Sequence, residues 1–131
     1  MFYIGVAVSD KNSFVYVING RGKKVERREI PTDQDGYRQY FKRWIKKSVE
    51  VAVEAGGHSR WIYDTFKKLG MLVYIVNPNK VKLIAKTKKK TDKVDATFLA
   101  KLLRIDELPE RVYVAEGDSR ELWDLYDPGN N

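Results

Sequence analysis

Three strand-length runs separated only by turns, followed by two more separated by amphipathic helices, constrain the fold of this chain most. Residues 2–8 are short and almost wholly apolar, and residues 14–18 form another such run, with Asp10, Lys11 and Asn12 reading as a hairpin turn between them. Asn19-Gly20-Arg21-Gly22 is a second turn, followed by a polar strand over about 23–30. Pro31-Thr32-Asp33 opens a helix whose apolar positions, Tyr37, Tyr40, Phe41 and Trp44, recur at i, i+3, i+4 and i+7. Residues 49–53 read as a strand. The helix after it, over 58–69, puts Trp61, Ile62, Thr65, Phe66 and Leu69 on one side and is capped by Gly70. Residues 71–76 read as a buried strand stopped by Asn77-Pro78, and a short helix over 79–84 leads into a lysine-rich loop. A helix over 92–104, a possible strand over 111–115 and a last helix over 119–126 complete the chain. Tight turns join antiparallel strands, whereas strand-helix-strand units join parallel ones by a right-handed crossover. The expectation is therefore an α/β domain with a mixed five-stranded sheet flanked by helices.

At 131 residues and 43% hydrophobic content the chain is expected to form one domain with a packed core. Twenty-five Lys and Arg against 18 Asp and Glu leave a net charge of +7, which favours polyanionic partners. The absence of cysteine excludes disulfides, thiolate zinc sites and a cysteine nucleophile. No apolar run is long enough to span a bilayer, and no signal peptide is visible.

Within this frame three acids stand out. Residues three and four apart share a helix face, and the stripe running back from Leu102 and Leu99 lands on Asp95 and then Asp92, where Leu or Val would be ordinary. A partly desolvated carboxylate is costly unless it is paired or binds a metal. Glu54 ends the 49–53 strand at its carboxyl end, where open α/β sheets bind ligands, with Gly56 and Gly57 beside it. Oxygen donors without His or Cys suit Mg²⁺ or Mn²⁺. The competing reading of Asp92 and Asp95 is helix capping, where an acid near the amino terminus gains roughly 0.3–1 kcal/mol. Glu54 could equally be a solvated strand-end acid.

Residues 86–90 hold four lysines in five positions; with Lys93, the set Lys86, Lys88, Lys89 and Lys90 could contact phosphates or form a solvated loop. His58 reads first as a helix-start residue and second as a substrate contact. The aromatic stripes read as core. No serine has a His and Asp arrangement to activate it.

Gly5-Val6-Ala7-Val8-Ser9, Glu54-Ala55-Gly56-Gly57, Val76-Asn77-Pro78-Asn79-Lys80-Val81 and Lys90-Thr91-Asp92-Lys93-Val94-Asp95-Ala96 together resemble the amino-terminal domain of Piv/MooV-type DEDD transposases, the RNA-guided insertion-sequence recombinases. The resemblance covers about 2–114 and implies a RuvC-like, RNase H-like domain over 1–115. It also implies a connecting helix and tail over 116–131, towards a carboxyl-terminal domain that carries a nucleophilic serine and is missing here. Glu54, Asp92, Asp95 and a first-strand Asp would hold Mg²⁺ or Mn²⁺. The first-strand Asp is replaced here by Ala7, the residue used to silence a carboxylate, so the site reads as either deliberately silenced or degenerate, and inactive. Asp10 lies past the turn, and alternation along the strand does not favour it as a substitute.

The partners implied are DNA and a structured guide RNA, with homo-oligomerisation of the full-length protein and no membrane. The implied setting is the prokaryotic cytoplasm, at the nucleoid. Two other readings stay open: a nuclease resembling Holliday-junction resolvases, and a degenerate RNase H-type domain that binds nucleic acid without cutting it.

Overall fold

The structure, a computed structural model, describes residues 1–77 and 95–108 and the backbone of 111–114. The short helix expected over 79–84, the lysine run, Asp92, Lys93 and the last helix over 119–126 lie outside the described residues.

Strands β1 (Phe2–Val8), β2 (Asn12–Asn19) and β3 (Lys24–Pro31) form an antiparallel meander. Its second turn is closed by Asn19, whose side-chain oxygen accepts from the backbone N–H groups of Arg21 and Lys23. Helix α1 (Gln34–Phe41) follows, with Asp33 as its N-cap accepting from the Gly36 N–H at 2.7 Å. Strand β4 (Val49–Glu54), helix α2 (Ser59–Leu69) and strand β5 (Val73–Val76) form the parallel crossover. As expected, Gly70 terminates α2, its N–H bonding back to the Lys67 carbonyl. Helix α3 (Ala96–Arg104) and strand β6 (Arg111–Val114) complete the described chain.

The strand order is β3-β2-β1-β4-β5-β6. Strand β4 lies parallel to β1 and β5, while β6 pairs antiparallel with β5. The five strands expected are present, and the segment read as a possible strand joins them as a sixth. From β1 the chain proceeds outward through β2 and β3 on one side and through β4 and β5 on the other. The boundary between β1 and β4 is thus the topological switch point, where the carboxyl ends of parallel strands open a ligand crevice.

Alternation along the central strands assigns the two faces different work. Ile4, Val6, Val51 and Val53 point to one face and pack with Tyr37, Phe41, Ile62 and Phe66 of α1 and α2 in the larger core. Gly5, Ala7, Ala52 and Glu54 occupy the intervening positions, on the other face. There Ala52, Val76, Leu99, Leu102, Leu103 and Leu108 form a smaller cluster under α3. Gly5 makes that packing possible. A Cβ at Gly5 would lie 2.0 Å from the Ala96 carbonyl oxygen and 2.7 Å from the Ala100 nitrogen, so the helix backbone rests directly on the strand.

One expected boundary is corrected. Asp95 has extended dihedrals, φ −91° and ψ 160°, so the helix bearing Leu99 and Leu102 starts at Ala96 and does not run unbroken from Asp92. Asp95 is its N-cap, accepting from the Phe98 N–H at 2.7 Å. Capping outcompetes continuation of the helix because Asp satisfies one of the amino-terminal donors that would otherwise lack a partner.

Candidate functional site

The close approach at Gly5 places the amino terminus of α3 over the carboxyl half of β1. Ala7 and Glu54 are register partners on adjacent parallel strands, so their side chains stand side by side on the α3 face, about 4.8 Å apart along the ladder direction. Both are half-buried, and Asp95 is exposed. All three line one open cleft of about 530 Å³, together with Ala96 and Thr97. The first-strand position, the strand-end acid and the α3 N-cap acid therefore line one cleft at the switch point. Asp92 lies outside the described residues, as do Lys86, Lys88, Lys89, Lys90 and Lys93.

Glu54 and Asp95, two of the three carboxylates lining this cleft (Glu29 on β3 is the third), have the donor chemistry a hard divalent cation requires. They fall short of its full coordination, and Ala7 contributes only a methyl group beside them. Among the described residues no group of three or more His, Cys, Asp or Glu side chains is placed to hold a metal ion.

The loop after Glu54 is held by a network that the sequence did not reveal. Gly56 adopts φ 52° as β4 turns into a short 3₁₀ segment, Gly56–His58, and Ser59 Oγ donates back to the Gly56 carbonyl at 2.7 Å. Trp61 Nε1–H donates to His58 Nδ1 at 3.1 Å, which leaves His58 Nε2–H to donate to Asp10 at 3.0 Å. His58 thus joins the β1–β2 turn to the loop that follows Glu54. Its place at the helix start was legible, but its partner 48 residues away was not. Asp10, as expected, does not occupy the Ala7 position; it bonds His58 from the turn.

The same turn is anchored from the opposite face. Tyr37 lies 2.6 Å from Ser13 Oγ, Ser13 lies 2.8 Å from Thr32 Oγ1, and Thr32 donates to the Ser9 carbonyl at 2.6 Å. Because the Thr32 hydrogen goes to Ser9, Ser13 donates to Thr32 and Tyr37 donates to Ser13. Burial pushes the Tyr37 phenol well above its ordinary value, with Ser13 opposing the shift, so the ring remains a neutral donor. Ser9, at the end of this chain of hydroxyls, lines the cleft.

The cleft continues past Ala7 onto β2 and β3. Phe14 is paired with Ala7, Glu29 with Phe14, and Arg27 with Tyr16, and all four of Phe14, Tyr16, Arg27 and Glu29 line it. Period-two alternation could have identified Phe14 and Tyr16, since Ser13, Val15 and Val17 are the buried positions between them.

No helix among the described residues is long and apolar enough to cross a membrane. Two similar solved structures are both of RuvC from Thermus thermophilus. One, in complex with a Holliday junction substrate, matches with a TM-score of 0.57 at 13% identity, over 86% of this chain and 99% of the other. The other matches with a TM-score of 0.58 at 13% identity, over 86% and 100%. At that identity the likeness establishes the RNase H-like fold. No curated protein matches the sequence. The family model described as transposase, the DEDD type of the insertion sequence IS110, matches residues 4–127. That span takes in most of β1 with Ala7, the Glu54 strand end and the Asp95 cap, and the chain belongs to the DEDD transposases of the IS110 type.

Proposed function

We propose that this chain is the amino-terminal, cation-binding part of a transposase that cuts and rejoins DNA strands, with its site inactive because Ala7 stands where an acid is required. The observation that carries this reading is the meeting of Ala7, Glu54 and Asp95 in one cleft at the switch point. Glu54 and Asp95, with Asp92 contributed from outside the described residues, would hold Mg²⁺ or Mn²⁺. The cation would supply charge neutralisation at a phosphodiester. The chain's own residues present the carboxylate oxygens, and Gly5 and the Asp95 cap fix where they stand. Lys86, Lys88, Lys89, Lys90 and Lys93 contact backbone phosphates of DNA and of a structured guide RNA, in keeping with the charge of +7. Residues 1–115 act as the RuvC-like unit, and 116–131 lead towards a carboxyl-terminal domain that supplies the nucleophile. The full-length protein works as a homo-oligomer at the nucleoid.

Ala7→Asp is the direct test. Calorimetric titration should show weak or absent Mg²⁺ binding by the chain as it stands and clear binding after the substitution. Equal affinities would exclude the first-strand position as a ligand. The repaired chain should still leave a labelled four-way junction and a linear duplex uncut, because the nucleophile is not water. Metal-dependent nicking at the junction centre would instead favour a resolvase-like nuclease.

A further inference from the structure

Beside the acidic cleft the α3 face of the sheet carries an uncovered aromatic strip. Phe14 is 49% exposed and is the single aromatic among the exposed large hydrophobic residues described. Tyr16, half-buried, is two residues along the same strand and therefore on the same face, with exposed Arg27 directly across from it on β3. Among the described residues, helix α3 lies over Gly5, Ala52 and part of β2, yet leaves Phe14 exposed and Tyr16 half-buried. Its charges are graded: Glu29, Glu54 and Asp95 lie towards the carboxyl end of β1, and Arg27 lies further back, beside Tyr16.

We propose that Phe14 and Tyr16 form a stacking shelf for unpaired bases of a nucleic-acid strand, with Arg27 meeting its phosphates, continuous with the Ala7–Glu54–Asp95 cleft. This rests on the nucleic-acid reading above. Exposed aromatics on a sheet face stack bases without sequence readout, and an adjacent cation tracks the backbone. Two residues along a strand are about 6.8 Å apart, twice the roughly 3.4 Å rise of a stacked strand. One base per ring therefore requires a stretched single strand, a shape that a duplex does not present. Glu29 and the cleft acids repel phosphate, so the backbone runs on the Arg27 side and the bases lie over the rings.

Fluorescence anisotropy of the 131-residue chain with a labelled single-stranded oligonucleotide, and with the matching duplex, tests this. Phe14→Ala should weaken single-strand binding roughly tenfold without altering its salt dependence, and should leave duplex binding unchanged. Phe14→Trp should restore affinity, with its added indole emission quenched when the single strand binds. Arg27→Gln should lower the magnitude of the log–log salt slope by about 0.7. The shelf is overturned if Phe14→Ala binds the single strand as tightly as the parent, or loses single strand and duplex equally. It is also overturned if sedimentation shows that the variant has merely dissociated a self-associated chain. Quenching of the Phe14→Trp emission reads the contact even if Phe14→Ala folds poorly. Failure of the parent chain to bind any nucleic acid would remove the parent reading as well; binding that ignores Phe14 would remove the shelf alone.

Discussion

The two faces of the sheet are built to different specifications. Under α1 and α2 the packing is aromatic and closed: Phe41 and Phe66 have ring centroids 4.7 Å apart, and Tyr37 meets Trp61 edge-on at 5.0 Å. Under α3 the sheet offers Gly5, Ala7 and Ala52, and the buried cluster there is small and aliphatic, with partly buried Tyr3, Tyr74 and Phe98 packed around it. Large side chains hold a helix away from a strand, whereas small ones allow the helix terminus to reach the strand end. The first face supplies stability. The second trades apolar contact for the close approach that sets Asp95 on the cleft that Glu54 also lines.

The sharpest way to break that contrast is to attack the closed face. Phe66 is fully buried, and Phe66→Ala should cost about 3–5 kcal/mol of unfolding free energy, read by denaturant titration. A loss of that size in a domain this small threatens folding altogether. If Phe66→Ala proved as mild as a surface change, the division of labour between the faces would be wrong.

On the open face the corresponding lesion is an addition. Gly5→Ala drives a Cβ into the Ala96 carbonyl, and because backbone blocks it, α3 must shift. The expected cost is about 1–3 kcal/mol. In an Ala7→Asp background the same change should also weaken Mg²⁺ binding, since Asp95 moves with the helix it caps. Stability lost without any effect on the metal would mean that the Gly5 contact supports packing but not the site.

Tyr37 links the faces, and its effect is smaller. Tyr37→Phe removes the first bond in the chain of hydroxyls to Ser9 and should cost about 1 kcal/mol near neutral pH. The burial that raises its pKa also fixes the sign of an alkaline effect. The folded chain keeps the phenolic proton that the unfolded chain sheds near its ordinary pKa of about 10. Stability is therefore fully present below that pH and declines above it. Tyr37→Phe should flatten the decline without abolishing it, because burial and the bond to Glu26 also raise the Tyr40 pKa. An unchanged alkaline slope would show that Tyr37 titrates alike in both states.

Much of this was legible in the sequence because it depends on local pattern. Short apolar runs bounded by turn signals placed most of the strands, the i, i+3, i+4, i+7 spacing placed α1, and Gly70 marked the end of α2. The family was legible too, from short motifs spread along the chain. Three features were not. The start of α3 was misplaced because periodicity cannot distinguish a capping Asp from a helical one; both fit the same stripe, and the deciding feature is a backbone dihedral. Gly5 gave no sign of its neighbour, since the contact with Ala96 spans 91 residues of sequence. Likewise, the bond from His58 to Asp10 depends on β1 and β4 lying side by side, which the element order permits without specifying.

The smallest stability effect separates the two readings of Asp95. As an N-cap it needs only an oxygen facing the Phe98 N–H, and Asn supplies that about as well as Asp. As a cation ligand it needs negative charge, which Asn lacks. Asp95→Ala should therefore cost about 1 kcal/mol, whereas Asp95→Asn should leave the unfolding free energy within a few tenths of the parent. In the Ala7→Asp background both variants should weaken Mg²⁺ binding severely. The stability pair reports the cap alone, and the calorimetric pair reports the cleft. If Asp95→Asn binds Mg²⁺ as tightly as its Ala7→Asp parent, then Asp95 only caps α3, and the cation would have to be held by Glu54, the restored first-strand acid and Asp92.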